Sequence, residues 1–194
     1  MNKQPDVTEK TRSTFINVFC SLYQQKPIEK ISIQEITKMA GYNRSTFYQY
    51  FTDIYDLLEY IENDVLEYMR NSEPKNLNDS QLNHMFIQNI ASLYEKKGAY
   101  LSALLGDYGS VRFGEKLKNE MVKKMKNINL ILNEDLYMPY VVECSLSMIV
   151  AAFRHWQRSG KNITSDDLAR FISSVLSEGT ITYAKRYLQE LNKQ

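Results

Sequence analysis

A short run of polar side chains carries hydrogen-bonding groups at the spacing of one helical turn. Residues 43 to 46 read Asn-Arg-Ser-Thr, and Gln49 follows one turn later. An Arg side chain can pair bidentately with guanine, and Gln can pair with adenine in the DNA major groove. Ser and Thr reach either base edges or phosphates. The chemistry that these residue types predict is therefore the reading of DNA bases from the start of a helix.

Two short predicted helices, joined by a turn, position this run of polar residues. Ser32 followed by Glu35 is typical of a capping box, and Gly41 indicates a left-handed turn that ends the first helix. We expect the second helix from about Arg44 to Tyr50, with Phe47 and Phe51 in the core. This layout is that of a helix-turn-helix, whose second helix enters the major groove.

The remaining periodicity is also helical, and no alternating run is long enough to predict a strand. We expect a helix from near Thr8 to the residues before Pro27, and another beginning near Asp53. A polar segment with Pro74 indicates a boundary. Further helices are predicted over residues 80–97, 99–105, 110–133 and 139–159, and from Thr164 towards Leu191 with a bend at Gly179.

Charge supports a DNA-facing surface before residue 53. The chain has 194 residues and a net charge of +1, so global charge is uninformative. Residues 1–52, however, hold seven Lys or Arg against four Asp or Glu, whereas residues 53–67 hold six acids and no base. Cys20 and Cys144 lie in apolar helical patterns, which indicate buried, reduced thiols. Residues 1–12 are polar and no apolar run could span a bilayer, so we expect a cytoplasmic protein without membrane contact.

Residues 31–58, with the preceding helix, resemble the N-terminal domain of the tetracycline-repressor (TetR) family. The resemblance rests on Ser32, Ile36, Ala40-Gly41, residues 46–51 (Thr-Phe-Tyr-Gln-Tyr-Phe) and Leu57-Leu58. It implies an all-α protein: a three-helix DNA-binding domain (1–52), a connecting helix (53–71) and an effector-binding and dimerisation domain (72–194). The predicted DNA-binding residues are Ser32, Gln34, Tyr42, Asn43, Arg44, Ser45, Thr46, Tyr48, Gln49, Tyr50 and Thr52.

Two positions depart from the family pattern. Tyr50 stands where the family usually has His, and a phenol can still donate to a phosphate. Ile54 stands where the family tends to have a phosphate-binding Lys, two residues before the acid of the connecting helix, and Thr52 stands at the basic position before it. The departure predicts weaker salt dependence of DNA binding than is usual in the family, because fewer phosphates are neutralised.

The resemblance also implies a homodimer, a pseudo-palindromic DNA operator and a small-molecule effector whose identity the sequence does not indicate. The predicted dimer residues are Leu146, Val150, Phe153, Leu168, Ile172, Val175, Leu176 and Tyr183. The predicted effector residues are Tyr94, Leu104, Tyr108, Arg112, Phe113, Met148 and Trp156, each with ordinary core packing as the alternative. Arg112, Arg154 and His155 are the polar side chains that could face an anionic effector, although the last two could instead be solvated.

The sequence lacks the residue patterns that metal binding, phosphate-loop binding and catalysis require. His84 and His155 have no neighbouring Cys or His at zinc-ligand spacing, and no glycine-rich phosphate loop follows a strand. We therefore predict no enzyme activity, no metal and no cofactor. The leading hypothesis is a DNA-binding regulator, most simply a repressor. The alternative is a helical protein-interaction module that has lost tight DNA binding.

Overall fold

The computed structural model describes residues 5–71, 79–127, 136 and 138–179, and the helices within them confirm the all-α prediction. Eight α-helices follow one another in the described chain, without a strand. They are α1 (Pro5–Tyr23), α2 (Ile33–Ala40), α3 (Arg44–Phe47), α4 (Ile54–Asn71), α5 (Asp79–Leu104), α6 (Val111–Asn127), α7 (Met138–Arg158) and α8 (Ser165–Glu178). None of these described helices combines the length and apolarity needed to cross a bilayer.

The described residues form two compact units. The first contains α1 to α4 together with residues 97–117, and the second contains residues 79–96 and the described residues from 118 to 179. The backbone of α5 is non-helical at Lys97, where the chain passes from one unit to the other. The sequence predicted a helix end at Gly98, which lies one residue from this kink. The functional division at residues 52 and 71 stays a prediction.

Helix α2 begins and ends as its sequence predicts. Ser32 Oγ accepts a hydrogen bond from the Glu35 amide at 3.2 Å. Gly41 has φ +73, a conformation that glycine adopts without the steric cost that other residues incur, and its turn hydrogen-bonds back into α2. The Glu35 carboxylate does not complete a reciprocal capping box, because it forms an ion pair with Lys26 at 2.7 Å. The ion pair ties α2 to the turn after α1.

The first unit has a continuous aromatic core that supports α3. Phe15 and Phe19 of α1 and Phe47 of α3 are each 0% exposed, and Phe51 is 3% exposed. The Phe15 ring lies 5.4 Å from the Phe47 ring, and Phe47 lies 5.6 Å from Phe51. The prediction that Phe47 and Phe51 are core residues is therefore confirmed. The α-helix at α3 is shorter than predicted, because residues 48–50 continue as a hydrogen-bonded turn.

In the second unit, α7 packs on α8. Val142, Leu146, Phe153 and Trp156 of α7 are buried, as are four residues of α8: Leu168, Ala169, Ile172 and Val175. Thr164 caps α8 as predicted, since its Oγ1 accepts from the Asp167 amide at 3.1 Å. Cys20 is buried as predicted, but Cys144 is exposed, so the prediction for Cys144 was wrong. It was wrong because the apolar pattern of α7 extends beyond the face that this unit covers.

Candidate nucleic-acid interface

The beginning of α3 presents its polar side chains to solvent. Asn43, Arg44 and Ser45 are exposed, and Thr46 is half-buried above the buried Phe47. Phe47 faces the aromatic core, and Ser45, two residues earlier, therefore lies about half a helical turn away, on the outer side. Asn43 and Arg44 are exposed at the start of the helix. Short polar side chains at the exposed first turn of a helix are placed to reach base edges in a major groove.

The tyrosines around α3 are anchored by their rings. Tyr42 and Tyr50 place their rings 5.3 and 6.1 Å from Phe15, and Tyr48 places its ring 5.9 Å from Phe47. Tyr48 is 51% exposed and Tyr42 is 36% exposed. Their rings therefore have fixed positions, while an exposed phenol remains available for a phosphate. Tyr50 is half-buried and carries the guanidinium of Arg12 over its ring at 5.9 Å.

Arg44 and Tyr48 form one surface feature. Arg44 Nη2 donates to Tyr48 Oη at 3.4 Å, across one turn of α3. The phenol restrains an otherwise mobile side chain that is charged at every physiological pH. The remaining predicted DNA contacts, Ser32, Gln34, Gln49 and Thr52, are all exposed. All eleven residues predicted to contact DNA thus lie, exposed or half-buried, within the first unit, while their roles stay predictions.

The first turn of α4 is occupied by the chain's own carboxylates. Asp53 Oδ1 accepts from the amides of Tyr55 and Asp56 at 2.8 Å. Asp56 Oδ2 accepts from the amide and the hydroxyl of Thr52 at 2.7 Å, and these hydrogen bonds lower the pKa of Asp56. Helix N-termini commonly bind phosphates through such amides. Here Asp53 fills that role for two amides of α4, and Asp56 is hydrogen-bonded to Thr52 beside it, so this end of α4 disfavours a phosphate.

We expect Thr52→Lys to raise affinity for every duplex DNA, because it adds a cation at the position next to these acids. Adding one phosphate contact should steepen the dependence of log affinity on log salt by about 0.9. Fluorescence anisotropy across a salt series measures both quantities. Asn162→Lys, which adds the same charge at an exposed position of the second unit, should leave the slope unchanged. Equal slopes for the two variants would place α4 away from the DNA.

The residues predicted to bind an effector lie in both compact units. In the second unit, the Tyr94 ring lies 4.7 Å from the Trp156 ring, and Lys161 stands over both rings. Met148 is half-buried in that unit. In the first unit, Leu104 and Phe113 are 1% and 0% exposed and serve as core. Tyr108 and Arg112 instead line an open cleft of about 660 Å³ in the first unit.

Most of the predicted dimer residues are covered by the chain itself. Leu146, Phe153, Leu168, Ile172 and Val175 are between 1% and 7% exposed. Val150 and Leu176 are half-buried, and Tyr183 lies outside the described residues. The exposed stripe of α7 is a different set, spaced by three or four residues: Tyr140, Cys144, Ser147, Ala151 and His155. Phe171 is the large exposed apolar residue of α8, at 39%.

Sequence reasoning missed this exposed stripe and the residues that share the cleft with Tyr108. The spacing of small residues at 144, 147 and 151 was a usable signal for the stripe, because small side chains allow close approach of another helix. The cleft had no such signal, since residues 23–29, 52–62 and 108–116 are distant in sequence. Among the described residues, no three His, Cys, Asp or Glu side chains come together as metal ligands.

Comparisons with known proteins agree with this geometry. Residues 19–61 match the family described as bacterial regulatory proteins, tetR family. This segment runs from the second half of α1, through α2 and α3, into α4. No curated protein matches the chain by sequence.

Solved structures share the fold over most of the chain. A tetR-family transcriptional regulator from Streptomyces coelicolor aligns with a TM-score of 0.62 and 18% identity, over 87% of this chain and 79% of that chain. A TetR transcriptional regulator from Streptococcus agalactiae 2603V gives 0.60 and 18%, over 88% and 96%. NalD, the secondary repressor of the MexAB-OprM multidrug efflux pump in Pseudomonas aeruginosa, gives 0.60 and 19%, over 88% and 96%.

Proposed function

We propose that this chain, as a member of the TetR family of bacterial DNA-binding transcriptional regulators, is an effector-controlled repressor. The family is non-enzymatic. In this proposal two copies bind one pseudo-palindromic operator in the cytoplasm, and a small molecule releases them. The observation that carries the proposal is the exposed polar first turn of α3, held over the buried Phe47. NalD, a secondary repressor that shares this fold, supports repression as the sign of regulation.

A homodimer is the arrangement that a two-fold operator requires, because each half-site must meet the same helix. The exposed stripe of α7 supports this step. Cys144, Ser147 and Ala151 are small, so a second copy of α7 can approach closely along them. Tyr140 and Val141, 69% and 52% exposed at the start of α7, add apolar surface. The buried residues that were predicted to contact a partner then support this surface from beneath.

We expect Ser147→Arg to dissociate the dimer, because a long charged side chain would replace a small one at the centre of the stripe. Sedimentation equilibrium should give the mass of two chains for the wild type and of one chain for the variant at micromolar concentration. Glu95→Arg, an exposed change on α5, should remain dimeric. Persistence of the dimer in Ser147→Arg would remove the α7 stripe from the interface.

A second candidate function, a protein-interaction module without tight DNA binding, is favoured by the acids at the start of α4. One titration separates the two. Specific regulators bind their site about 10³–10⁷-fold more tightly than non-specific duplex at physiological salt. The affinity for the DNA upstream of the protein's own gene should therefore exceed the affinity for a duplex of shuffled sequence by at least about a thousandfold. Equal affinities at every salt concentration would favour the interaction module.

A further inference from the structure

The open cleft of the first unit has the dimensions of a small-molecule site. Its volume is about 660 Å³, and small-molecule sites span roughly 300–1,000 Å³. Three segments line it: the end of α1 with the turn that follows, the first half of α4, and the turn that leads into α6. The cleft therefore lies beside the DNA-reading segment, and its walls include residues from inside the match to the family.

Acids outnumber bases on its walls. The cleft is lined by five acidic residues, Glu29, Asp53, Asp56, Glu59 and Glu62, and by two basic residues, Arg112 and Lys116. Lys116 is neutralised by Glu62 at 2.6 Å. Asp53 and Asp56 accept hydrogen bonds at the start of α4, and those from Thr52 lower the pKa of Asp56. An anion bound near Arg112 would thus meet a surplus of negative charge, so the surroundings of Arg112 argue against the anionic effector that its sequence suggested.

Tyrosines complete the cleft. Tyr55 and Tyr108 are 54% and 43% exposed and offer ring faces, to which ammonium groups are attracted. Tyr23 is buried and hydrogen-bonds the backbone of Ser110. Burial raises the pKa of Tyr23, and Glu62 and Glu29 raise it further, as expected where the potential is negative. The walls are thus suited to positive charge carried on an organic frame.

We propose that this cleft binds an organic cation with primary ammonium groups, a short alkyl diamine being the simplest member of the class. Glu29 and Glu59 attract the charge, and the exposed tyrosines cover the alkyl chain. A bare metal ion is a poorer occupant, since no cluster of metal ligands occurs in the described part of the chain. A ligand seated here contacts α4 and the end of α1 together. Its role as the effector rests on the proposed function, whereas its binding does not.

Isothermal titration calorimetry on the full-length protein tests the proposal without DNA present. The probes are 1,4-diaminobutane, the uncharged 1,4-butanediol and the anionic succinate, which have similar lengths. We expect heat of binding from the diamine alone, decreasing as salt rises. Glu29→Gln and Glu59→Gln should each weaken diamine binding by up to about fivefold, the range of exposed charge pairs. Glu95→Gln, on an exposed position of the second unit, should bind like the wild type.

Three results would overturn the proposal: no diamine binding, equal binding of diol or succinate, or wild-type affinity in the Glu29→Gln/Glu59→Gln double variant. Far-UV circular dichroism of each variant establishes that its helices are intact. Affinity for operator DNA, measured without diamine, separates the two proposals. Normal DNA binding with no diamine binding would refute the cleft inference alone, and diamine binding without DNA binding would refute the regulator alone.

Discussion

Phe47→Ala is expected to destabilise the first unit by about 3–5 kcal/mol and to abolish DNA binding. Phe47 is 0% exposed and its ring contacts Phe15 and Phe51. Truncating a buried Phe removes its burial free energy and leaves a cavity, and costs of this size are typical. Whole domains are stable by only about 5–15 kcal/mol, so this loss is a large fraction of the total. Because Phe47 positions α3, the reading helix is lost with it.

Two probes localise that effect in a urea titration. Far-UV circular dichroism reports all helices, whereas the fluorescence of Trp156, the single tryptophan, reports the second unit. We expect the dichroism transition of Phe47→Ala to begin at lower urea, with a smaller change in fluorescence. Tyr48→Ala removes a neighbouring aromatic ring that is half exposed and should change stability by about 0.5 kcal/mol or less. A loss below about 1 kcal/mol in Phe47→Ala would contradict its role as the core of the unit.

Arg44→Ala is expected to relax base choice at one position in each half-site. A bidentate contact between Arg and guanine contributes about 1–3 kcal/mol of discrimination against the wrong base. Arg44 is exposed at the first residue of α3, where a recognition helix meets base edges. The variant should therefore bind operators that differ at that base pair with nearly equal affinity, while it still discriminates at other positions. Competition anisotropy with a set of single-base operator variants measures this pattern.

Tyr48→Ala is the matched comparison, because Tyr48 directly follows α3, four residues after Arg44, and is predicted to contact phosphate. Loss of a phosphate contact weakens all sequences alike. The hydrogen bond from Arg44 to Tyr48 adds a second reason to measure both. If Arg44→Ala weakened every operator variant by the same factor, Arg44 would be a phosphate contact. If both variants kept wild-type affinity and preference, α3 would not be the reading helix.

The fold of the segment that we propose to read DNA could be predicted from the sequence because local patterns decide it. Gly41 permits the turn, Ser32 caps the helix before it, and the spacing of Phe47 and Phe51 selects the buried face. Each of these signals acts within a few residues. The contacts made by a capping side chain were predicted less accurately where a more distant partner competes. Glu35, for example, pairs with Lys26 instead of completing the capping box.

The second half of the chain was harder to predict for a physical reason. Helix α7 is apolar around much of its circumference, so its sequence does not distinguish the face that covers α8 from the face that we propose a second copy covers. Leu146 and Phe153, which were predicted at the dimer interface, are buried within the described chain, and their contact with a partner stays a prediction. Cys144 was assigned to the core although it is exposed. The cleft depends on residues as distant as Glu29 and Arg112, whose proximity only the folded chain establishes.

Selection of bound duplexes from a random DNA pool, at physiological salt, is the decisive experiment, because the protein itself chooses the sequence that it binds. We expect enrichment of two inverted half-sites whose centres are about one helical turn apart, or a multiple of it. Arg44→Ala should enrich the same arrangement, but without a preferred base at one position of each half-site. A pool that shows no enriched sequence after successive rounds, or a single half-site without symmetry, would contradict a dimer that reads DNA through α3.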